Sequence, residues 1–312
     1  MKARFFAAAA LVGLSFGTFS ARAADPASCD VVRIGDVGWS DAAATIGVTS
    51  NILTALGYTP KTTLVTLSVA YLSMENNRID VFPSDWEPSG ESVIGPYMKR
   101  GRIERIATNL DGAHYTLGVP DYVSQEGLKD FKDIAAWGPK LNYTIYGIES
   151  GNDGNQIILK LIKENQFGLG KFHLNESSEQ GMLSQVTRAI GAHKPIVFLA
   201  WEPHPMNMRF KITYLTGGEE DFGAAASVHT VTRKGYVEAC PNVGKLFKQM
   251  TFTIPGENEM MKAIGDDRIP APKATKDWLK ANSGVLDKWL DGVTTADGAP
   301  GLPAVKKYLG VE

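Results

Sequence analysis

Val81-Phe82-Pro83-Ser84-Asp85-Trp86-Glu87-Pro88 and Val197-Phe198-Leu199-Ala200-Trp201-Glu202-Pro203 follow one plan: a short apolar run that reads as a strand, closed by Trp-Glu-Pro. After each come a basic residue and a second extended run, residues 102–108 after the first and 209–216 after the second. The two tryptophans lie 115 positions apart. Solenoid repeats run to about 20–50 residues, so a separation this long points to two similar lobes.

Outward from these stretches, strands alternate with helices. Val31-Val32-Arg33-Ile34-Gly35 is a β-branched strand, and Ser40-Asp41 opens a helix whose apolar positions include Ile46, Val48, Ile52, Leu53 and Leu56 before Gly57 ends it. The pattern then predicts a strand over 62–67, a helix over 68–77 and a strand over 79–82. Such alternation implies parallel sheet with crossover helices, and ligands of such sheets sit beyond the carboxyl ends of the strands. Trp39, Asp41 and Trp86 fall at those ends. After 102–108, the extended run 114–120 is placed to carry the chain into a second lobe. There the pattern restarts with a strand over 143–147, the turn Gly151-Asn152-Asp153-Gly154-Asn155, a helix over 156–166, a strand over 172–174, a helix over 178–191 and the strand 195–200. The chain returns through 211–216, and helices are expected near 243–252, 257–264 and 275–293. On the last of these, Trp278 and Trp289 read as packing residues.

Lys2 and Arg4, the apolar run 5–19 and the small-residue pattern Ala21-Arg22-Ala23 give residues 1–23 the form of a secretory signal peptide. The run is short of the ~20 apolar residues that span a bilayer, so an exported, periplasmic protein is expected. With that segment removed, 29 Lys and Arg stand against 34 Asp and Glu, a net charge of −5. A mildly acidic chain without a basic stripe is a poor partner for nucleic acid and is compatible with a small cation. Cys29 and Cys240, an even pair in an oxidising compartment, are expected to form one disulfide spanning 211 positions, which would place the N-terminal and C-terminal parts in one lobe.

Enzyme motifs fail on spacing. Gly147-Ile148-Glu149-Ser150-Gly151 does not match a nucleophile elbow, and Gly168-Leu169-Gly170-Lys171 lacks the leading Gly and following Ser or Thr of a phosphate loop. His114, His173, His193, His204 and His229 show no metal-binding pairing on a helix. No catalytic residue, metal or cofactor is therefore expected.

Aromatic residues beside carboxylates at strand ends are the distinctive feature: Trp39 near Asp41, Trp86 near Asp85 and Glu87, Tyr115, and Trp201 near Glu202. Any one of them alone reads equally well as a core residue; their recurrence in both halves points elsewhere. Aromatic faces attract organic cations by roughly 0.5–2 kcal/mol each. A quaternary ammonium has no N–H to donate, so an aromatic box is the chemistry left for recognising it.

Gly35-Asp36-Val37-Gly38-Trp39-Ser40-Asp41, Asp85-Trp86-Glu87-Pro88, Tyr115-Thr116-Leu117, Gly151-Asn152-Asp153-Gly154 and Ala200-Trp201-Glu202-Pro203-His204-Pro205-Met206-Asn207 resemble the choline-binding members of the glycine betaine/choline family of ABC-transporter substrate-binding proteins. The resemblance spans the chain after residue 23, including Trp278-Leu279 and Lys288-Trp289-Leu290. It implies an α/β type II periplasmic binding protein fold, with a cleft between lobe I (24–111 and 217–312) and lobe II (112–216). It also implies a monomeric receptor that delivers choline to an ABC permease in the inner membrane. By the same resemblance Trp39, Trp86, Tyr115 and Trp201 form the box, while Asp41 and Asn152 meet the choline hydroxyl, Asp41 also neutralising charge. Glu87 and Glu202 are read as satisfying backbone and surface groups. The alternatives are a receptor for glycine betaine or proline betaine, whose carboxylate should disfavour Asp41, and a secreted choline-ester hydrolase, which lacks its nucleophile motif.

Overall fold

The computed structural model describes residues 25–311, so segment 1–23, expected to be a signal peptide, lies outside the described residues. Among these there are nine strands: β1 (Val31–Asp36), β2 (Thr59–Leu64), β3 (Val81–Glu87), β4 (Ile103–Pro120), β5 (Thr144–Tyr146), β6 (His173–Asn175), β7 (Phe198–Glu202), β8 (Ile212–Tyr214) and β9 (Ala226–Arg233). They run in the order β2-β1-β3-β9-β4-β7-β5-β6, with β8 pairing β4.

This order accounts for the sequence repeat. In one half the parallel trio β2-β1-β3 meets the antiparallel β9, and in the other the parallel trio β6-β5-β7 meets the antiparallel β4. Trp86 and Trp201 thus occupy equivalent places, one residue before the ends of β3 and β7. Both Glu-Pro bonds that follow, Glu87-Pro88 and Glu202-Pro203, are cis.

β4 joins the halves. Its residues up to Ala113 pair with β9, and from His114 onward they pair with β7 and then β8. The two extended runs expected at 102–108 and 114–120 are therefore a single strand, bent by register shifts between Thr108 and Ala113 and by Gly112 at φ 75°. The returning chain passes from β8 through the helix Glu219–Phe222 to β9. That helix stays with the second half: Phe222 packs on Phe131 and Tyr115, and Asp221 accepts hydrogen bonds from Lys160 and Gln166.

Several expected boundaries shift for local reasons. β2 pairs with β1 on one side only and begins at Thr59 rather than 62; its residues are largely exposed, and so carry no alternating apolar signal. The helix expected over 275–293 is two, Ala271–Ala281 and Val285–Trp289, broken at Asn282-Ser283-Gly284. β9 and the helix Glu91–Lys99 were not expected from the pattern.

The Cys29–Cys240 disulfide is present, with Cα atoms 5.8 Å apart. A loop of 211 residues closed in the unfolded chain is worth about 5 kcal/mol on the chain-entropy model. The same junction is reinforced by Asp25, whose carboxylate accepts the backbone N–H groups of Asn242 and Val243 at 2.8 and 3.0 Å, at the start of the helix Pro241–Gln249. A carboxylate there meets both the unpaired N–H groups and the positive end of the helix dipole.

Candidate functional site

Trp39 ends the turn after β1. Gly38, at φ 82°, lets the chain reverse, and Trp39 is the residue before the helix Ser40–Ala55, so its ring is held at the helix mouth. Its indole Nε1 donates to Glu149 Oε1 at 2.8 Å, a contact from the first half of the molecule to the second. Asp41 lies in the first turn of that helix, where its Oδ2 accepts the indole N–H of Trp86 at 3.0 Å. Oδ2 is thereby spent on orienting the second tryptophan, and the backbone N–H groups of Asp41 and Ala42 also favour the ionised carboxylate.

From the other half, Tyr115 on β4 and Trp201 on β7 are direct cross-strand partners. Their rings stand edge to face, with centroids 6.1 Å apart and planes at 89°. Trp86 and Tyr115 meet across the cleft at 5.7 Å, and Phe222 backs Tyr115 from behind at 5.8 Å. Asn152 caps the helix Asp153–Lys163: its Oδ1 accepts Asn155 N–H at 3.0 Å and the Tyr115 hydroxyl at 3.2 Å, while its Nδ2 donates to Asp153 Oδ1 at 2.7 Å. Gly154 permits this approach, since a Cβ there would lie 2.1 Å from the Tyr115 hydroxyl oxygen.

Trp39, Asp41, Trp86, Tyr115, Asn152 and Trp201 line one cavity, together with Ile148 and Asp153. All six sequence-selected side chains are buried, between 1% and 6% exposed. Glu87 and Glu202 lie outside this lining: Glu87 instead pairs with His229 at 2.9 Å and Arg105 at 3.5 Å.

The electrostatics are one-sided. Burial pushes Asp41 up to about 6; the Trp86 hydrogen bond opposes this, and the charge of Glu179 adds to it. Burial likewise raises Asp153 to about 6 and Glu149 to about 7, against hydrogen bonds from Ser89 and Trp39 respectively. Glu257, fully buried near Asp41, is pushed well above the ordinary range. No Lys or Arg is among the cavity-lining residues. Four aromatic walls around uncompensated carboxylates make a space that favours a compact cation with an apolar surface and disfavours an anionic group.

Sequence reading missed Ile148, Asp153, Glu149 and Glu179. Asp153 stood beside Asn152 in the quoted turn, and a carboxylate at a helix start was the available signal. The other acids have partners that only the tertiary fold supplies: Ser40, 139 positions away, donates its N–H to Glu179 Oε2 at 3.0 Å.

The family model for the substrate-binding domain of ABC-type glycine betaine transport systems matches residues 30–281. A solved ABC-transporter choline-binding protein in complex with choline is 47% identical, with a TM-score of 0.90 over 92% of this chain and 100% of its own. The structure of an ABC-transporter choline-binding protein in an unliganded semi-closed conformation, also 47% identical, gives 0.83 over 91% and 100%. A glycine betaine/carnitine transport binding protein of Listeria monocytogenes is 32% identical over 161 residues, which is 52% of this chain and 53% of that protein.

Proposed function

The chain belongs to the family of substrate-binding domains of ABC-type glycine betaine transport systems and has their periplasmic binding protein fold, and from that premise we propose that it is a receptor for choline. The observation that carries this reading is the cavity itself: Trp39, Trp86, Tyr115 and Trp201 surround a space that also holds Asp41 and Asn152 and has no basic lining residue.

The trimethylammonium group sits against the four rings. Asp41, whose Oδ2 holds the Trp86 indole, accepts the choline hydroxyl proton at Oδ1, and its charge offsets that of the cation. Asn152 Oδ1 is already engaged twice, so its amide hydrogen not bound to Asp153 is the one that reaches the hydroxyl oxygen. Glycine betaine would bring a carboxylate to Asp41 with no cationic lining residue to receive it, which ranks it below choline.

The lobes in this reading are 24–111 with 217–312, and 112–216. The change of pairing partner along β4 at Ala113 and His114 supports the first crossing, and the packing of Phe222 on Phe131 favours drawing the second near Gly223–Ala225. Closure around the hinge brings Trp39 and Trp86 to Tyr115 and Trp201, which couples ligand capture to domain motion. The receptor is read as a monomer, exported by residues 1–23 to the periplasm, that passes its ligand to an ABC permease and performs no chemistry on it.

Isothermal titration with choline, glycine betaine and carnitine tests this. Choline is expected to bind most tightly; absence of binding by any quaternary amine at millimolar concentration refutes the reading.

A further inference from the structure

Glu179 does not line the cavity, yet it is 3% exposed and both of its carboxylate oxygens are engaged by the flanks of two box tryptophans. Oε2 accepts the backbone N–H of Ser40, the residue after Trp39, at 3.0 Å. Oε1 lies 3.2 Å from His204 Nε2 and 3.3 Å from Gln180 Nε2. His204 Nδ1 accepts Met206 N–H at 2.9 Å, so the ring hydrogen belongs on Nε2 and is donated to Glu179. The His204 ring in turn packs edge to face on Trp201, with centroids 4.8 Å apart.

The chain of contacts therefore runs Trp39–Ser40, Glu179, His204, Trp201. Ser40 belongs to the β1-β2-β3 half, whereas Glu179 and His204 belong to the β5-β6-β7 half. We infer that Glu179 is a positioning residue of the closed state: it clamps the helix start that carries Trp39 to the turn that supports Trp201, and so sets how long the aromatic box stays shut.

The sequence hints at this only in part, since Glu179 follows the capping Ser178 and reads as an ordinary first-turn acid. Its contact with Ser40 is specific in another way. Ser40 N–H is one of the unpaired donors that open the 16-residue helix Ser40–Ala55, so a carboxylate reaching it from the opposite half satisfies a group that water would serve in an open cleft. Loss of the clamp should leave the open protein unaffected and shorten the lifetime of the closed one.

This inference rests on the reading of the cavity as a choline site. Stopped-flow tryptophan fluorescence with choline, on the wild-type protein and on E179A and E179Q, separates the two. Hydrogen bonds to a charged group contribute enough that E179A should raise the dissociation rate by about 10- to 100-fold, with the association rate within about threefold of wild type. E179Q, which keeps one acceptor for Ser40 but turns an amide N–H₂ toward His204 Nε2–H, should show a smaller increase. The thermal midpoint of each unliganded variant should match wild type, while the upward shift produced by choline should shrink. Failure of the wild type to bind choline sinks the functional reading. Wild-type binding with an unchanged dissociation rate in E179A, or an equal fall in midpoint with and without choline, overturns the role given to Glu179.

Discussion

Replacement of Asp41 by Asn is the sharpest separation of choline from the betaines. Asp41 is buried, its Oδ2 holds the Trp86 indole at 3.0 Å, and its pKa of about 6 leaves it ionised at about pH 7.5. Asparagine occupies the same volume, and its amide oxygen can accept the same indole N–H, so the wall formed by Trp86 should survive. What disappears is the charge. Two unit charges about 4.5 Å apart interact by about 4 kcal/mol at an effective dielectric constant of about 20, and part of that is regained because the neutral amide costs less to keep buried. A net loss of about 2–4 kcal/mol is expected, equivalent to choline binding about 30- to 800-fold more weakly. Glycine betaine should bind no more weakly than to the wild type, because its carboxylate no longer faces Asp41. Calorimetric titration of both ligands against both proteins reads this directly, and repeating it in high salt should change little, since a buried pair is weakly screened. Equal losses for the two ligands, or a choline affinity within about threefold of wild type, would show that Asp41 does not face the ligand.

Trp201→Ala removes a wall that is 4% exposed and takes with it the edge-to-face contact to Tyr115; choline affinity should fall by at least a few kcal/mol, about 100-fold or more, when titrated calorimetrically. Choline carries a permanent charge, so the pH dependence of binding reports the protein. Asp41 and Asp153, each raised to about 6, must be ionised to favour the cation, and affinity should drop about 10-fold between pH 7.5 and pH 5 from one such group. Stability of the unliganded closed form should run the opposite way. A carboxyl whose folded pKa exceeds its unfolded value stabilises most below the unfolded value, so thermal midpoints should fall as pH rises from about 4 to about 7.

The fold was legible where the sequence repeats itself and hidden where distant segments insert. Trp86 and Trp201 announced two equivalent strand ends, and the aromatic and acidic residues around them, taken with the resemblance, selected six side chains that share one cavity. β9 gave a β-branched signal in Val228-His229-Thr230-Val231-Thr232, but it follows the patternless Ala224-Ala225-Ala226, and its place between β3 and β4 depends on pairings more than 100 positions distant. The helix Glu91–Lys99 contains Gly95 and Pro96, which local propensity counts against a helix. Within the site, local pattern found the rings and not the acids that join the halves. Ser89 donates to Asp153, Trp39 to Glu149 and Ser40 to Glu179, across 64, 110 and 139 positions.

Those three contacts share a direction: every acceptor is a carboxylate of the β5-β6-β7 half, and every donor is an uncharged group of the β1-β2-β3 half. Glu149, Asp153 and Glu179 therefore face Asp41 and Glu257 with no Lys or Arg in the cavity lining; burial is the main cause of the raised pKa values of Asp41, Glu149 and Glu257, and the charges of neighbouring acids add to it. A ligand that merely fills the cavity leaves this repulsion in place; a cation relieves it. The carbon isostere of choline, 3,3-dimethyl-1-butanol, has the same shape and hydroxyl without the charge, so it retains the apolar contacts and the bonds to Asp41 and Asn152. Cation–π attraction of roughly 0.5–2 kcal/mol per face, together with the Coulomb attraction of Asp41, should make choline bind at least about 100-fold more tightly than the isostere near neutral pH. The gap should narrow at about pH 5, where protonation relieves the crowding without a cation. An isostere that binds within about tenfold of choline would mean that shape and apolar burial, rather than charge, close the box.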